Sequence, residues 1–376
     1  MSPPLSQVGT DTVPSTLASL ARERWPMVSV IAPMYNEERF LSQFVGAMVA
    51  QDYPRDRFEV LLVDGQSEDG TVELAQRMVR EHANFRLLTN PDRSLPHGSN
   101  IGIRNARGEI VARADVHAGY PPDYLRCCVD ALLQHDAWCV GGVLRTEPGA
   151  PTAVARAIAI VQSHPFGTGN SYARIGTDLR VVDSVGYPCM RRSVFERVGL
   201  YNEQMPRHED VELYSRIRRA GGKLMVVPSI RATYYARSTM RGLLRQAWHN
   251  GHETLMAWLT DRSCTRIRHW IPGAFVCSLV VLGTAAPWSG WALALLLAEA
   301  GAYLLALSAA TVDVGMRYGW RMAPVVAGMC ALHHLAYGLG TCAGLLVLPS
   351  VYARVKGYRY PLLTPGAAGS QPQESG

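Results

Sequence analysis

Asp115 and His117, which are residues of types that can bind cations, lie two residues apart in RADVHAGYPPDYL, residues 113–125. They follow EIVA, a run typical of a β-strand, and precede a Pro-Pro pair typical of a helix start. In an extended chain residues i and i+2 share one face, so both side chains are predicted to point the same way. A carboxylate and an imidazole suit a divalent cation. A turn cap by Asp115 beside a packed or solvated His117 is the alternative.

Two further acidic stretches have the residue types for chemistry. Asp64 ends the apolar run VLLVD, where a carboxylate needs hydrogen-bond donors, and a planar base such as uracil offers an imide N–H. A plain turn followed by a helix start explains Asp64 as well. Glu209 and Asp210 open a predicted helix, where negative charge is favoured by the macrodipole, so capping is one explanation. A general base held near a cationic site is the other.

Alternating strands and helices must position these residues. Short apolar runs predict strands at 28–33, 58–64, 85–90 and 109–115, and helices are predicted at 37–51, 69–82 and 209–220. Continuous apolar strands separated by helices indicate an α/β fold with a mostly parallel sheet covered on both faces. Ligands of such sheets collect at the carboxyl ends of the strands. The polar turns MYNEE, DGQSEDGT, NPDRS and DVHAGYPP are therefore predicted to share one site.

The composition indicates that part of the chain is not in water. Of 376 residues, 48% are hydrophobic and only 18% are charged, with a net charge of +6. The basic residues are spread over specific places and do not form a long run typical of nucleic-acid binding, so we expect no nucleic-acid partner. The eight cysteines show no zinc or CxxC spacing and are predicted to be reduced thiols.

The C-terminal part of the sequence predicts a membrane anchor. Residues 242–259 form an amphipathic pattern that suits a membrane interface, with a plain surface helix as the alternative. Three apolar segments follow at about 271–287, 288–312 and 322–348. Arginines before the first segment and between the second and third place those sides in the cytoplasm. Three crossings would put the basic tail outside, against that rule, and the third segment, with His333 and His334, is the suspect.

The sequence accordingly divides into five predicted parts. They are a flexible leader (1–26), a catalytic domain (27–239), an amphipathic interface region (240–268), two or three transmembrane helices (269–348) and a basic, then disordered, tail (349–376).

Four ordered stretches between about residues 27 and 260 resemble the family 2 inverting glycosyltransferases of GT-A fold. Within that family they most resemble the glucosyltransferases of succinoglycan-type exopolysaccharide synthesis. The stretches are VSVIAPMYNEERFL, VLLVDGQSEDGTVELA, SNIGIRNARGEIVARADVHAGYPPDYL and VFERVGLYNEQMPRHEDVELYSRIRRAGGKL.

The resemblance implies a role for each matching residue. Asp210 would be the base that deprotonates the acceptor hydroxyl, with Glu209 and Trp248 on the acceptor side. Asp115 and His117 would replace the family's DxD and bind Mn²⁺ or Mg²⁺ at the donor diphosphate. The nucleotide-sugar site would comprise Pro33, Tyr35, Glu37, Asp64, Asn100, Arg113, Ala114 and Asp115.

Two departures from the family pattern stand out. The usual DDGS is Asp64-Gly65-Gln66-Ser67, and the DxD is DxH, which predicts weak metal binding without nucleotide and a tilt towards Mn²⁺. The QxxRW signature of processive enzymes is absent, so long-chain polymerisation is not expected.

The expected protein is an inner-membrane enzyme with a cytoplasmic catalytic domain. It would move a hexose, with UDP-glucose as the family-level donor, to a polyprenyl diphosphate-linked oligosaccharide. GDP- and dTDP-sugars remain alternative donors. A polyprenyl-phosphate hexose synthase and a catalytically silent nucleotide-sugar-binding scaffold remain alternative functions, and transport is disfavoured because the apolar segments carry few charges.

Overall fold

A computed structural model describes residues 25–169, 171–205 and 207–347, together with positions 358, 360, 361 and 363. Nearly all of the predicted leader and most of the predicted tail lie outside the described residues.

One mixed sheet forms the centre of the catalytic domain. Its strands are β1 (Val28–Met34), β2 (Phe58–Asp64), β3 (Phe85–Thr89), β4 (Ile110–Arg113), β5 (Ala118–Gly119), β6 (Cys139–Glu147), β7 (Arg180–Val182), β8 (Gly186–Arg191) and β9 (Leu224–Tyr235). Their order is β3-β2-β1-β4-β8-β6-β9-β5, and β7 pairs with β9. The four strands β3, β2, β1 and β4 are mutually parallel, whereas β8 runs antiparallel to β4.

Helices cover both faces of this sheet. They are α1 (Glu38–Val49), α2 (Thr71–Glu81), α3 (Leu95–Asn105), α4 (Tyr124–Gln134), α5 (Ala153–Ser163), α6 (Pro165–Thr168), α7 (Tyr172–Ile175), α8 (Arg192–Val198) and α9 (Glu209–Arg219). All seven residues of β2 are buried, as continuous apolar strands require when both faces are covered. Two hydrophobic clusters, one on each side of the sheet, contain alternate residues of β2, with Leu62 on one side and Leu61 on the other.

The strand register aligns the predicted site at the carboxyl edge of the sheet. Met34 pairs with Asp64, so the turns after β1 and β2 start at the same depth, whereas β4 ends earlier, at Arg113, which pairs with Ile31. One sequence prediction is wrong here. Strand β4 ends at Arg113, and Asp115 and His117 lie in the following turn rather than on an extended strand. The pairing with β1 ends at Arg113, and the last backbone bond in this region joins Ala114 N–H to the Ile31 carbonyl.

Four long helices complete the chain: α10 (Met240–Thr260), α11 (Ile267–Ala285), α12 (Gly290–Tyr318) and α13 (Ala323–Leu346). The last three are long and apolar enough to cross a membrane. In α11 and α12 only 11% and 6% of the most apolar window is buried, whereas in α13 the share is 33%. Trp288 and Trp291, at the turn between α11 and α12, are 85% and 84% exposed, as expected of aromatic residues at a bilayer interface.

Helix α13 packs along the whole of α10 through glycines. A Cβ on Gly340 would lie 2.2 Å from the Trp248 carbonyl oxygen, and a Cβ on Gly251 would lie 2.0 Å from the Tyr337 carbonyl oxygen. Only glycine permits backbones to approach this closely. The apolar residues Leu243 and Ala247 of α10 are therefore buried inside the protein, while Trp248 remains exposed.

Candidate active site

The turns that follow β1 and β2 are joined by side-chain hydrogen bonds. The Asp64 carboxylate accepts from the Ser67 hydroxyl at 2.6 Å and from the Ser67 backbone N–H. The Ser67 hydroxyl in turn accepts from the Asn36 backbone N–H at 2.9 Å, and the Asn36 side chain accepts from Glu68 N–H at 2.8 Å. Asp64 is thus satisfied within its own turn, and its burial needs no bound base to be explained.

The side chains of Tyr35 and Arg93 lie next to this turn. Tyr35 is 44% exposed, and the Arg93 guanidinium lies 6.0 Å from the centre of its ring. Arg93 donates to Gln66 Oε1 at 3.0 Å and to Glu68 Oε1 at 2.8 Å, which holds its planar group beside the cleft. An aromatic ring and a fixed guanidinium at the carboxyl edge can stack on a nucleotide base or face a phosphate. Sequence reasoning did not select Arg93, although it noted the polar NPDRS turn.

Glu37, predicted in the nucleotide site, contacts the proposed metal ligand instead. Its Oε1 lies 2.7 Å from His117 Nδ1, across a sequence separation of 80 residues. Burial opposes protonation of His117, but the hydrogen bond that it donates to Glu37 and the charge of Asp115 outweigh this effect and raise the pKa of this histidine. The contact assigns the Nδ1 proton and leaves Nε2 as the nitrogen for a ligand, an arrangement typical of metal-bound histidines.

Asp115 and His117 fit a cation whose remaining coordination positions are filled by a substrate. Asp115 and His117 supply one carboxylate and one imidazole, and Asp115 Oδ1 makes only a long contact of 3.4 Å with Arg113. Among the described residues no group of three His, Cys, Asp or Glu side chains is placed to hold a metal. The pair is therefore a partial ligand set, in which phosphate oxygens and water would supply the other positions.

Arg113 links this edge to the acidic helix start. Its guanidinium lies 3.0 Å from Glu209 Oε1 and 3.4 Å from Asp115 Oδ1, and its side chain is only 13% exposed. Burial would lower the pKa of Arg113, but the two carboxylates raise it, so the arginine stays charged. Burial and the adjacent Asp210 carboxylate raise the pKa of Glu209, and the Arg113 charge opposes that rise. Arg113 is thus a buried bridge rather than a surface group.

Asp210 differs from its neighbour in being accessible. Its Oδ1 accepts from the Val211 backbone N–H at 2.7 Å, and no other partner is found for it in the described part of the chain. One carboxylate oxygen is therefore left to accept a proton. The preceding His208 adopts a left-handed conformation, with φ of 60°, and its Nε2 lies 3.2 Å from the Asn250 carbonyl of α10. Contact with α10 thus helps to hold the helix start that carries Glu209 and Asp210.

The remaining predicted residues lie further from the cleft surface or have other partners. Asn100 is fully buried and bonds the Tyr201 backbone and the Glu203 carboxylate, so it positions the loop before α9. Ala114 is buried, and Pro33 is half-buried beneath the cleft.

Three arginines near the acidic helix have no anionic partner within the described ranges: Arg207, Arg237 and Arg245. Burial and the neighbouring Arg237 charge lower the pKa of Arg207, with a further contribution from Arg245. The charge of Arg237 also acts on His117. Like charges held together near the start of the acidic helix indicate a place for an anion. Arg207 precedes α9 in the chain, and Arg237 follows β9.

The chain is similar to known glycosyltransferases. The family model "Glycosyl transferase family 2" matches residues 29–199. A dolichyl N-acetyl-alpha-D-glucosaminyl phosphate 3-beta-D-2,3-diacetamido-2,3-dideoxy-beta-D-glucuronosyltransferase from Methanococcus voltae is 26% identical, covering 58% of this chain and 70% of its own length. The succinoglycan biosynthesis protein ExoA of Rhizobium meliloti is also 26% identical, covering 65% of this chain and 73% of its own.

A solved structure shows the same fold. The mannosyltransferase PcManGT from Pyrobaculum calidifontis, in complex with GDP-Man and Mn²⁺, matches with a TM-score of 0.55 and 21% identity. The match covers 84% of this chain and 88% of that one. The predicted GT-A architecture is therefore confirmed.

Proposed function

We infer that this chain, which belongs to glycosyltransferase family 2, transfers a hexose from a UDP-sugar to a lipid-linked saccharide with inversion. The observation that carries the proposal is the placement of Asp210. An accessible carboxylate stands at the start of α9, next to Glu209, which Arg113 connects to the Asp115 and His117 edge. Single displacement requires a base on one side of the bound sugar and an anion-binding edge on the other side.

The chemistry follows from these positions. Asp210 takes the proton of the acceptor hydroxyl, whose oxygen forms a bond to the anomeric carbon. The bond from that carbon to the diphosphate oxygen breaks, and the electron pair leaves with the nucleoside diphosphate. A divalent cation, when bound by Asp115 and His117, stabilises the charge on this leaving group. Arg113 holds Glu209 in place beside the base and opposes the rise of its pKa, so Asp210 alone faces the acceptor.

The donor site is proposed at the turns after β1, β2 and β3. Tyr35 and Arg93 offer a stacking face and a guanidinium, and the ordered turn around Asp64 and Ser67 presents backbone groups. UDP-hexose is the proposed donor, and Mn²⁺ is the proposed metal because one of the two protein ligands is an imidazole. GDP- and dTDP-sugars are tested against it below.

Membrane attachment supports a lipid acceptor. The Methanococcus relative is named for a dolichyl phosphate-linked sugar, which matches a lipid-linked saccharide better than a bare lipid phosphate. A scaffold without catalysis is disfavoured by the intact Asp115, His117 and Asp210.

We propose that only α11 and α12 cross the bilayer. Helix α13 lies along α10, and α10 is attached to the catalytic domain at both ends, by Leu243 in a cluster with α5 and by the Asp261 bond to Ser215. The Pro361 carbonyl, beyond α13, accepts from Leu200 N–H of the catalytic domain. Both ends of α13 thus face that domain, and two crossings keep the basic tail on its side, as the positive-inside rule asks.

Cysteine labelling from outside intact cells tests this topology. Ser289→Cys, between the two crossings, should react with a membrane-impermeant maleimide, and Leu346→Cys, at the end of α13, should react only after permeabilisation. Labelling of both from outside would establish three crossings instead.

Activity is tested by nucleoside diphosphate release from a panel of UDP-, GDP- and dTDP-sugars. Membranes containing the protein are supplied with polyprenyl diphosphate-linked hexose or polyprenyl phosphate, with and without Mn²⁺. We expect UDP release that needs the lipid-linked sugar and the metal, and that falls by roughly a hundredfold or more in Asp210→Asn. Asp136→Asn, remote and paired with Lys223, is the matched control. Full activity in Asp210→Asn would show that Asp210 is not the base. A preference for polyprenyl phosphate would favour the alternative function, a polyprenyl-phosphate hexose synthase.

A further inference from the structure

A large cavity lies between the catalytic domain and the membrane helices. Its volume is about 910 Å³, near the upper end of sites for small organic ligands. Its walls come from α5 to α7 of the catalytic domain, from the start of α9, and from α10, α11, α12 and α13. It is therefore placed where a molecule anchored in the bilayer would meet the enzyme.

One side of the cavity is apolar and open. Ile271 and Phe275 of α11 line it, together with Ala306, Ala309 and Ala310 of α12. Ile271, Ala306 and Ala309 are exposed, although they belong to the two proposed crossings. Small residues on a crossing helix leave a channel that is continuous with the hydrocarbon of the bilayer. An extended hydrocarbon chain fits this side.

The other side is polar and carries hydrogen-bonding groups without partners. Gln162 Oε1 and His333 Nδ1 are buried and have no hydrogen-bond partner among the described residues. Gln246, Asn250 and Tyr303 add amide and hydroxyl groups to the same lining. Buried polar atoms without partners cost free energy, so a ligand that bonds them is favoured.

Charge on this side matches a phosphate. Arg174 lines the cavity, as does Arg268, which is paired with Asp183 at 3.1 Å, and the acid in the lining, Asp313, is already paired with His164 at 3.0 Å and with Arg317 at 2.8 Å. The unpaired Arg207 and Arg245 stand next in sequence to the lining residues His208 and Gln246. After the ion pairs are counted, the arginines leave this side of the cavity with a positive charge.

The cavity extends to the neighbours of the proposed base in the chain. His208 and Val211 are among its lining residues, and they flank Glu209 and Asp210 on either side in the chain. A ligand with its chain on the apolar side and its polar end at His208 therefore presents that end to Asp210. A phospholipid of the bilayer would satisfy the apolar side but offers no sugar hydroxyl to the base.

We propose that this cavity is the binding site of the acceptor, a polyprenyl diphosphate-linked saccharide. The polyprenyl chain lies against α11 and α12, the diphosphate lies near the arginines, and the sugar contacts the amide, hydroxyl and imidazole groups. A bare lipid phosphate would leave most of the polar side unbonded, so the cavity favours a lipid that already carries sugar. The inference rests on the proposed function and adds the place and class of its acceptor.

Cavity-filling variants test the site. Ala306→Trp and Ala310→Trp place an indole in the channel, and Ser308→Trp is the matched control, because Ser308 is an exposed small residue on the same helix outside the cavity. We expect the KM for polyprenyl diphosphate-linked hexose to rise about tenfold or more in the first two, with UDP affinity unchanged and the control near wild type. Unchanged acceptor kinetics in both folded cavity variants would overturn the proposal.

Photolabelling of the wild-type protein gives a second readout, which does not depend on a variant's folding. A polyprenyl diphosphate-linked hexose with a diazirine in its chain should label peptides of α11 and α12 that line the cavity. Excess unlabelled lipid-linked hexose should suppress this labelling, and phosphatidylglycerol should not. Suppression by phosphatidylglycerol would assign the cavity to bilayer lipid and overturn the proposal. Specific labelling without any hexose transfer would instead keep the binding site and remove the proposed function.

Discussion

Replacing Arg113 by methionine should destabilise the catalytic domain through the carboxylates it leaves behind. Methionine keeps an unbranched side chain of similar length but removes the charge that lies 3.0 Å from Glu209 and 3.4 Å from Asp115. The Glu209 side chain is only 6% exposed, so water cannot replace the lost partner. Removing one member of a buried pair costs about 3–5 kcal/mol. For a domain of this size each kcal/mol lowers Tm by about 2–4 °C, so we expect a fall of roughly 6–20 °C.

The pH dependence of that loss identifies its cause. The pKa of Glu209 is already raised above its ordinary value by burial and by Asp210, and losing Arg113 raises it further. A carboxyl group whose folded-state pKa is raised stabilises the fold at low pH, and this stability is lost as pH rises through the folded-state pKa. The Tm difference between Arg113→Met and wild type should therefore be small near pH 5 and large near pH 8.

A double mutant separates this account from simple loss of packing. In Arg113→Met with Glu209→Gln the buried charge is gone, so the combined loss should be less than the sum of the single losses by about 1–3 kcal/mol. Thermal unfolding of the purified protein in detergent, followed by intrinsic tryptophan fluorescence, measures all four proteins at both pH values. A Tm difference that does not change between pH 5 and pH 8, together with additive losses, would refute the charge bridge.

Three further substitutions probe the donor site and the membrane part. Arg93→Met should weaken UDP binding about tenfold while lowering Tm by no more than a few degrees, because exposed ion pairs contribute little to stability; an unchanged UDP Kd by calorimetry would contradict this. Glu37→Gln should reduce Mn²⁺-dependent UDP affinity by about 10–100-fold through the loss of its bond to His117, and leave metal-free UDP binding unchanged. Gly340→Val should separate α13 from α10 and lower Tm, whereas Gly328→Val should not, because no atom of the described residues lies within 4 Å of a Cβ added at Gly328. Equal Tm values would argue against the close helix contact.

Local periodicity was enough to predict much of the catalytic domain. The helices predicted at 69–82 and 209–220 are observed at Thr71–Glu81 and Glu209–Arg219, and the parallel strands follow the continuous apolar runs. These elements depend on neighbours within a few residues, which a sequence displays directly. The antiparallel placement of β8 between β4 and β6 was not predicted, because strand order depends on contacts between distant segments.

The same distinction applies to the site. Asp115 and Asp210 were predicted from local motifs. The contact that connects their surroundings joins Arg113 to Glu209, and these two residues lie 96 positions apart in the sequence. Pairing of Glu37 with His117 likewise joins two turns that the sequence had assigned to different roles. The end of β4 at Arg113 was missed because EIVARAD continues the apolar pattern past the last paired residue. Which residues contact each other at a site depends on the order of the strands in the sheet. Local sequence patterns do not contain that order.

Four of the five non-glycine residues with positive φ in the described part of the chain lie at the candidate site, and the fifth is Tyr187 in β8. Asn36, Gln66 and Arg93 follow β1, β2 and β3, and His208 precedes α9; all four have positive φ, between 55° and 60°. None of them is glycine, so each costs of order 1–3 kcal/mol relative to an ordinary conformation. The side chains explain why glycine does not stand there: Asn36 and Gln66 accept hydrogen bonds across the turns, Arg93 faces the ring of Tyr35, and His208 bonds α10. A turn built only to connect a strand to a helix would gain stability from glycine, whereas these turns keep strained side chains that line the proposed donor and acceptor sites.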